Sequence, residues 1–155
     1  MDTDENFMAE AIRLSAEAVR HGNEPFGAVL VKDGEIVCRG ENQIYSGHDR
    51  TFHAELELIR SFRAETGITD LSGYTLYSSC EPCFMCSGAM VWAKLGRLVY
   101  AASDRDLCGL LHEPGSACSR IVFENSRHRP EVTAGVLREE SLSVLERYFS
   151  SREKN

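Results

Sequence analysis

His53, Glu55, Cys83 and Cys86 are the residues of this chain whose types and spacing best support chemistry. The run His53-Ala54-Glu55 and the later run Pro82-Cys83-Phe84-Met85-Cys86 together offer an imidazole, two thiols and a carboxylate. Imidazole and thiolate are good zinc donors. Three protein donors leave one coordination position open for water, whereas a structural zinc is closed by four. Glu55 need not be a ligand, and a spare carboxylate is what a proton shuttle requires when such a water attacks an electrophilic carbon. The expected chemistry is metal-assisted hydrolysis, with one Zn²⁺ per chain on His53, Cys83 and Cys86.

The charge count sharpens these roles. Two thiolates and a neutral imidazole cancel the dication, so a bound water is less acidified than at a three-histidine site and a nearby base matters more. Glu55 is that base. A C-x-x-C pair alone would equally serve as a redox couple or as half of a structural zinc site, but redox pairs do not call for an upstream H-x-E. Cys80, Cys83 and Cys86 also resemble part of an iron–sulfur run. No fourth cysteine follows at a suitable spacing, and His53 would have no role, so Cys80 reads as a packing thiol beside the metal. The combination H-x-E…P-C-x-x-C is the signature of zinc-dependent nucleobase deaminases.

These residues need elements to hold them. Phe7, Ala11, Leu14, Ala18 and Val19 recur at helical spacing and stop at His21-Gly22-Asn23. Phe26–Lys32 and Glu35–Arg39 read as strands joined by Asp33-Gly34, a strong hairpin signal. Residues 53–65 form the next expected helix, opened by His53 with Glu55 in its first turn. Tyr74–Ser78 is strand-like. Cys83–Lys94 is helical, with Pro82 in its first turn and both sulfurs on one face. The helix start favours thiolates. Leu98–Ala102 is another strand. Residues 107–130, with Gly109, Pro114, Gly115 and Pro130, predict a long loop with a short helix, then a strand at Val132–Ala134 and a closing helix over Glu139–Phe149. The alternation predicts a single α/β sandwich over 1–155, a mixed sheet with helices on both faces.

Composition narrows the function classes. At 155 residues, 43% hydrophobic and 26% charged, the chain can bury a sizeable core. Its longest apolar run is far too short to span a bilayer. The acidic start Met1-Asp2-Thr3-Asp4-Glu5 argues against a secretory signal, so a cytoplasmic, reducing location is expected for its six cysteines. Proteins that grip phosphates usually show a basic face; a net charge of −7 weighs against a nucleic-acid substrate. Local basic groups remain at Arg60/Arg63 and Arg127/His128/Arg129.

With those motifs in hand, the chain resembles the cytidine deaminase-like superfamily, nearest the branch of guanine deaminases, cytosine deaminases and tRNA adenosine deaminases. The resemblance rests on Pro25-Phe26-Gly27-Ala28-Val29, Asn42, Thr51, His53-Ala54-Glu55 and Leu76-Tyr77-Ser78-Ser79-Cys80-Glu81-Pro82-Cys83 with Cys86-Ser87-Gly88-Ala89-Met90, and it runs over roughly residues 7–102. It implies a three-layer α-β-α sandwich on a five-stranded mixed sheet, one zinc, and a homodimer with sites near the interface. It further implies that Asn42 hydrogen-bonds the base and that Glu55 carries a proton from water to a ring nitrogen and then to the departing amine. Phe26 and Trp92 are expected to form an aromatic wall against a planar base. Phe52 stands where this branch usually has alanine, so a reshaped entrance is expected.

The expected function is hydrolytic deamination of a free base or nucleoside, guanine first and cytosine or a related amino-heterocycle next. Two rivals remain. His112-Glu113-Pro114-Gly115 and Val132–Leu137 resemble tRNA wobble-adenosine deaminases, although the ending Ser150–Asn155 lacks their basic character. The other rival is a non-catalytic zinc-stabilised binding module, its metal closed by a fourth ligand such as Cys80.

Overall fold

The computed structural model describes residues 3–152; Met1, Asp2 and residues 153–155, the last part of the weakly basic Ser150–Asn155 ending, lie outside them. The order of elements is α1 Thr3–Arg20, β1 Gly27–Lys32, β2 Glu35–Glu41, α2 Ala54–Thr66, β3 Thr75–Cys80, α3 Phe84–Trp92, β4 Arg97–Ala102, α4 Asp104–Leu110, α5 Cys118–Glu124, β5 Glu131–Ala134 and α6 Arg138–Arg152. The sheet has five strands in the order β2-β1-β3-β4-β5. β1 pairs antiparallel with β2 and β3, and β3, β4 and β5 are mutually parallel.

Strand chemistry explains the order. β1 is buried on both faces and lies inside the sheet, as a continuous apolar run should. β2 alternates exposed and half-buried residues and takes an edge. Asp33 and Gly34 both adopt positive φ, 51° and 77°, as a tight primed hairpin turn demands.

The period of two in the strands divides the core. Ala28, Leu30, Leu76 and Leu98 face the layer of α2 and α3. Val29, Val31, Tyr77 and Val99 face α1, which presents Met8, Ala11, Ile12 and Leu14 at helical spacing. Each fully buried Leu or Val contributes roughly 1.5–3 kcal/mol relative to exposure. α1 sits so close to β1 that a Cβ at Gly27 would lie 2.3 Å from the Ala11 carbonyl oxygen. Its first turn is tied down by Asp4, which accepts two hydrogen bonds from the Arg97 guanidinium and one from the Tyr77 hydroxyl.

Two local expectations change. Residues 107–130 hold two helices' worth of order, because α4 begins earlier, at Asp104, with a reciprocal capping box between Ser103 and Asp106. Pro82 precedes the cap of α3 instead of occupying its first turn; Cys83 is the cap, in extended conformation.

Candidate metal centre and substrate cavity

The ends of the strands converge on one site. Phe26 precedes β1, Asn42 follows β2, Cys80 ends β3, and Asp104 lies just past β4. Because β1 is antiparallel to β3, its beginning meets the carboxyl end of β3. That is the end of an open α/β sheet where ligands collect.

His53 and Cys83 are the cap residues of α2 and α3, and neither side chain caps its own helix. Both are therefore free to point across the gap between the helices. His53 Nδ1 lies 3.6 Å from Cys83 Sγ and 3.8 Å from Cys86 Sγ. The three donor atoms lie within 4.8 Å of one another, and among the described residues no fourth His, Cys, Asp or Glu joins the group. Two sulfurs and one nitrogen at this spacing suit a tetrahedral Zn²⁺ with one vertex left for solvent. Cys80 is buried and lines the cavity but stands outside the cluster, so the four-ligand closure proposed for it is not formed.

The electrostatics of the donors match a cation site. A hydrogen bond from Cys86 holds the Cys83 thiol down at about 4, with His53 adding to the effect. Cys86, next to that thiolate and buried, is pushed far up. The bond to Cys83 raises His53. The thiolate is the metal-binding form of cysteine, so the lowered Cys83 suits a cation site.

Glu55 lies in the first turn of α2 and is 6% exposed. Burial pushes its carboxyl up to about 7; Cys83 adds to the rise, while His53 and the Ser78 hydroxyl oppose it. Asn42 is 2% exposed, and its Oδ1 accepts the backbone N–H groups of Ile44 at 3.1 Å and Glu24 at 3.4 Å. Two N–H donors can face only an oxygen, so the amide nitrogen is the end left for the cavity. Asn42 also donates its own N–H to the Phe26 carbonyl, coupling these two positions.

Phe26, Asn42, His53, Glu55 and Cys83 line one cavity of about 220 Å³. Trp92 does not. It ends α3, about 12 Å along the axis from Phe84 at 1.5 Å per residue. There it is 89% exposed, beside Ile59, Arg63 and Ile68 in a shallow outer groove. The expected aromatic wall is therefore Phe26 alone within one chain. Phe52 also misses the cavity: its ring packs over Gly47 and borders a groove with Asp49, Arg60 and Arg63.

Sequence reasoning missed Glu24, Glu81, Asp104 and Leu107, which complete the lining. The pattern Ser103-x-x-Asp106 was the available signal for α4 and hence for Asp104. With Glu55, four carboxylates line the cavity and no Lys or Arg does.

Comparison with known proteins agrees with this site. The family model for the cytidine and deoxycytidylate deaminase zinc-binding region matches residues 1–102. The guanine deaminase of Bacillus subtilis (strain 168) is 44% identical over 103 residues, 66% of either chain. The tRNA-specific adenosine deaminase of the same strain is 35% identical over 159 aligned positions, covering 99% of this chain and 93% of its own. A structure solved in a study of A-to-I editing by tRNA:A34 deaminases superposes with a TM-score of 0.78 at 33% identity, covering 90% of this chain and 98% of that one.

Proposed function

The chain belongs to the cytidine and deoxycytidylate deaminase zinc-binding family and is a hydrolytic deaminase, and from that premise we propose that it deaminates an uncharged purine, with free guanine first. The observation that carries this reading is the cavity: small, with Phe26 at its side and four carboxylates in its lining. At about 220 Å³ it lies below the usual range for drug-sized ligands and fits one heterocycle. A nucleotide phosphate among those carboxylates would be repelled at short range in a poorly screened site, so a nucleoside monophosphate is disfavoured.

His53, Cys83 and Cys86 would hold the zinc, which when bound would supply Lewis acidity toward a water. Glu55 takes a proton from the attacking water, delivers it to the adjacent ring nitrogen, and later protonates the leaving amine. Asn42 donates its amide N–H to a carbonyl of the base, and Phe26 stacks on the ring face. Isocytosine, which presents the same amino carbon between two ring nitrogens, and cytosine, whose amine sits beside one, are the next substrates.

A second reading, deamination of adenosine in tRNA, is favoured by the nearly full-length likeness to a tRNA-specific adenosine deaminase. Exposed Arg60 and Arg63, which border the groove beside Phe52, offer phosphate contacts for it. We further propose a homodimer through α3, on which Phe84 and Trp92 are 54% and 89% exposed. A cytoplasmic location is part of the same reading; among the described residues no helix is long and apolar enough to cross a membrane.

The test is ammonia release by zinc-loaded protein from guanine, cytosine, isocytosine, adenine and their nucleosides, with a tRNA bearing wobble adenosine alongside. Turnover of guanine supports the first reading. Inosine in the tRNA with silence on every free base overturns it in favour of the second.

A further inference from the structure

We propose that Glu81 is a positioning residue, whose buried carboxylate holds the β4–β5 crossover in place as a wall of the substrate cavity. Glu81 is 8% exposed and lines that cavity. One carboxylate oxygen, Oε1, accepts the backbone N–H of Asp104 at 3.0 Å, at the start of α4. The other, Oε2, accepts the backbone N–H of Ser119 at 3.2 Å and its hydroxyl at 2.5 Å, at the start of α5. Its own N–H donates to the Ala102 carbonyl at 2.7 Å. Among the described residues no Lys or Arg pairs with it, so neutral donors from the crossover supply its compensation.

The arrangement fits positioning better than general cohesion of the fold. Glu81 is the second residue before Cys83, and the intervening Pro82 carbonyl accepts the Ser87 hydroxyl and the Cys118 thiol. One short stretch thus joins the metal end of α3 to both crossover helices. α4 has independent support on its outer side, where Arg138 makes two hydrogen bonds to Asp106. Asp106 also caps the helix with Ser103. Losing Glu81 would leave α4 helical and release its inner face, which brings Asp104 and Leu107 to the cavity.

Glu81→Gln is nearly isosteric but carries one acceptor where the carboxylate has two. An amide N–H₂ would then face a backbone N–H donor at α4 or at α5, and one tether fails. Amide hydrogen exchange of the zinc-loaded full chain reads this without any substrate. In Glu81→Gln, segment 103–119 exchanges about tenfold faster while the sheet and α1 are unchanged and one zinc per chain is retained. KM for guanine rises by a similar factor with kcat within about threefold; this arm alone rests on the guanine reading, so no guanine turnover by wild type or variant faults that reading only, whereas turnover with an unchanged KM overturns the positioning role. Ser119→Ala, a milder cut, shifts exchange in the same direction around 117–124, and adding it to Glu81→Gln has little further effect. Unchanged exchange over 103–119 in both variants, or a loss spread over the sheet together with zinc, overturns the proposal.

Discussion

Asn42 Oδ1 accepts the N–H of Ile44, two residues on, at 3.1 Å, and this bond leaves the amide nitrogen as the end that faces the cavity. The chain uses its own backbone to present a donor. Asn42→Asp keeps the shape but offers an acceptor-only group to the same carbonyl of the base. We expect kcat/KM for the preferred base to fall about 10–100-fold, the cost of one buried hydrogen bond left unmade. Steady-state kinetics against Asn42→Ala separate repulsion from simple loss.

Glu55→Gln should keep one zinc per chain, because Glu55 lies outside the donor cluster. Its deaminase rate should drop by about 10²–10⁴-fold, the range for removing a general acid–base group. Metal analysis and ammonia release on one preparation give both numbers. Full activity with zinc retained would refute the assigned proton path.

Trp92→Asp places a charge on the exposed end of α3, where the native ring is 89% exposed. We expect sedimentation to change from a dimer to a monomer with the melting temperature of the monomer preserved. A wild-type protein that sediments as a monomer at micromolar concentration removes the dimer reading.

Acid should loosen the outer support of α4. The Arg138 guanidinium holds the Asp106 carboxyl down at about 2, from its ordinary 3.8. A depressed carboxylate contributes stability that is complete above the unfolded value and is lost as pH falls through the folded one. The contribution therefore disappears between about pH 4 and pH 2. Arg138→Met should melt slightly below wild type at pH 6, a small effect because the pair is partly exposed, and the two melting curves should converge below pH 2.

Gly27→Ala is the packing test. Its added Cβ would meet the backbone of Ala11 and Ser15, at 2.3 and 2.6 Å, and backbone cannot swing aside as a side chain can. Denaturant titration should show a loss of about 1–3 kcal/mol or more.

Most elements were legible because they announce themselves by period. The hairpin at Asp33-Gly34, the apolar run of β1 and the helical spacing of α1 each needed only near neighbours in sequence. The cluster of His53, Cys83 and Cys86 was legible for another reason: an imidazole and two thiols at that spacing suit one job. Trp92 was not, since an aromatic near a motif says nothing about which way the helix carries it, and α3 carries it outward. Glu24, Glu81 and Asp104 were hidden because acidic residues normally read as solvated surface, and only tertiary contacts turn them inward.

The sheet topology has a consequence for how this activity can change. The matching family model covers residues 1–102 and ends with β4. The metal donors and Glu55 all precede that point, whereas Asp104 and Leu107 belong to the crossover that follows. On the proposed reading, the proton path and part of substrate choice are thus written on consecutive stretches of chain, joined by the hydrogen bonds of Glu81 and Pro82 to α4 and α5. A crossover transplanted from a relative, joined after Ala102 and before Glu131, would exchange one side of the cavity provided that it brought N–H donors for both carboxylate oxygens of Glu81.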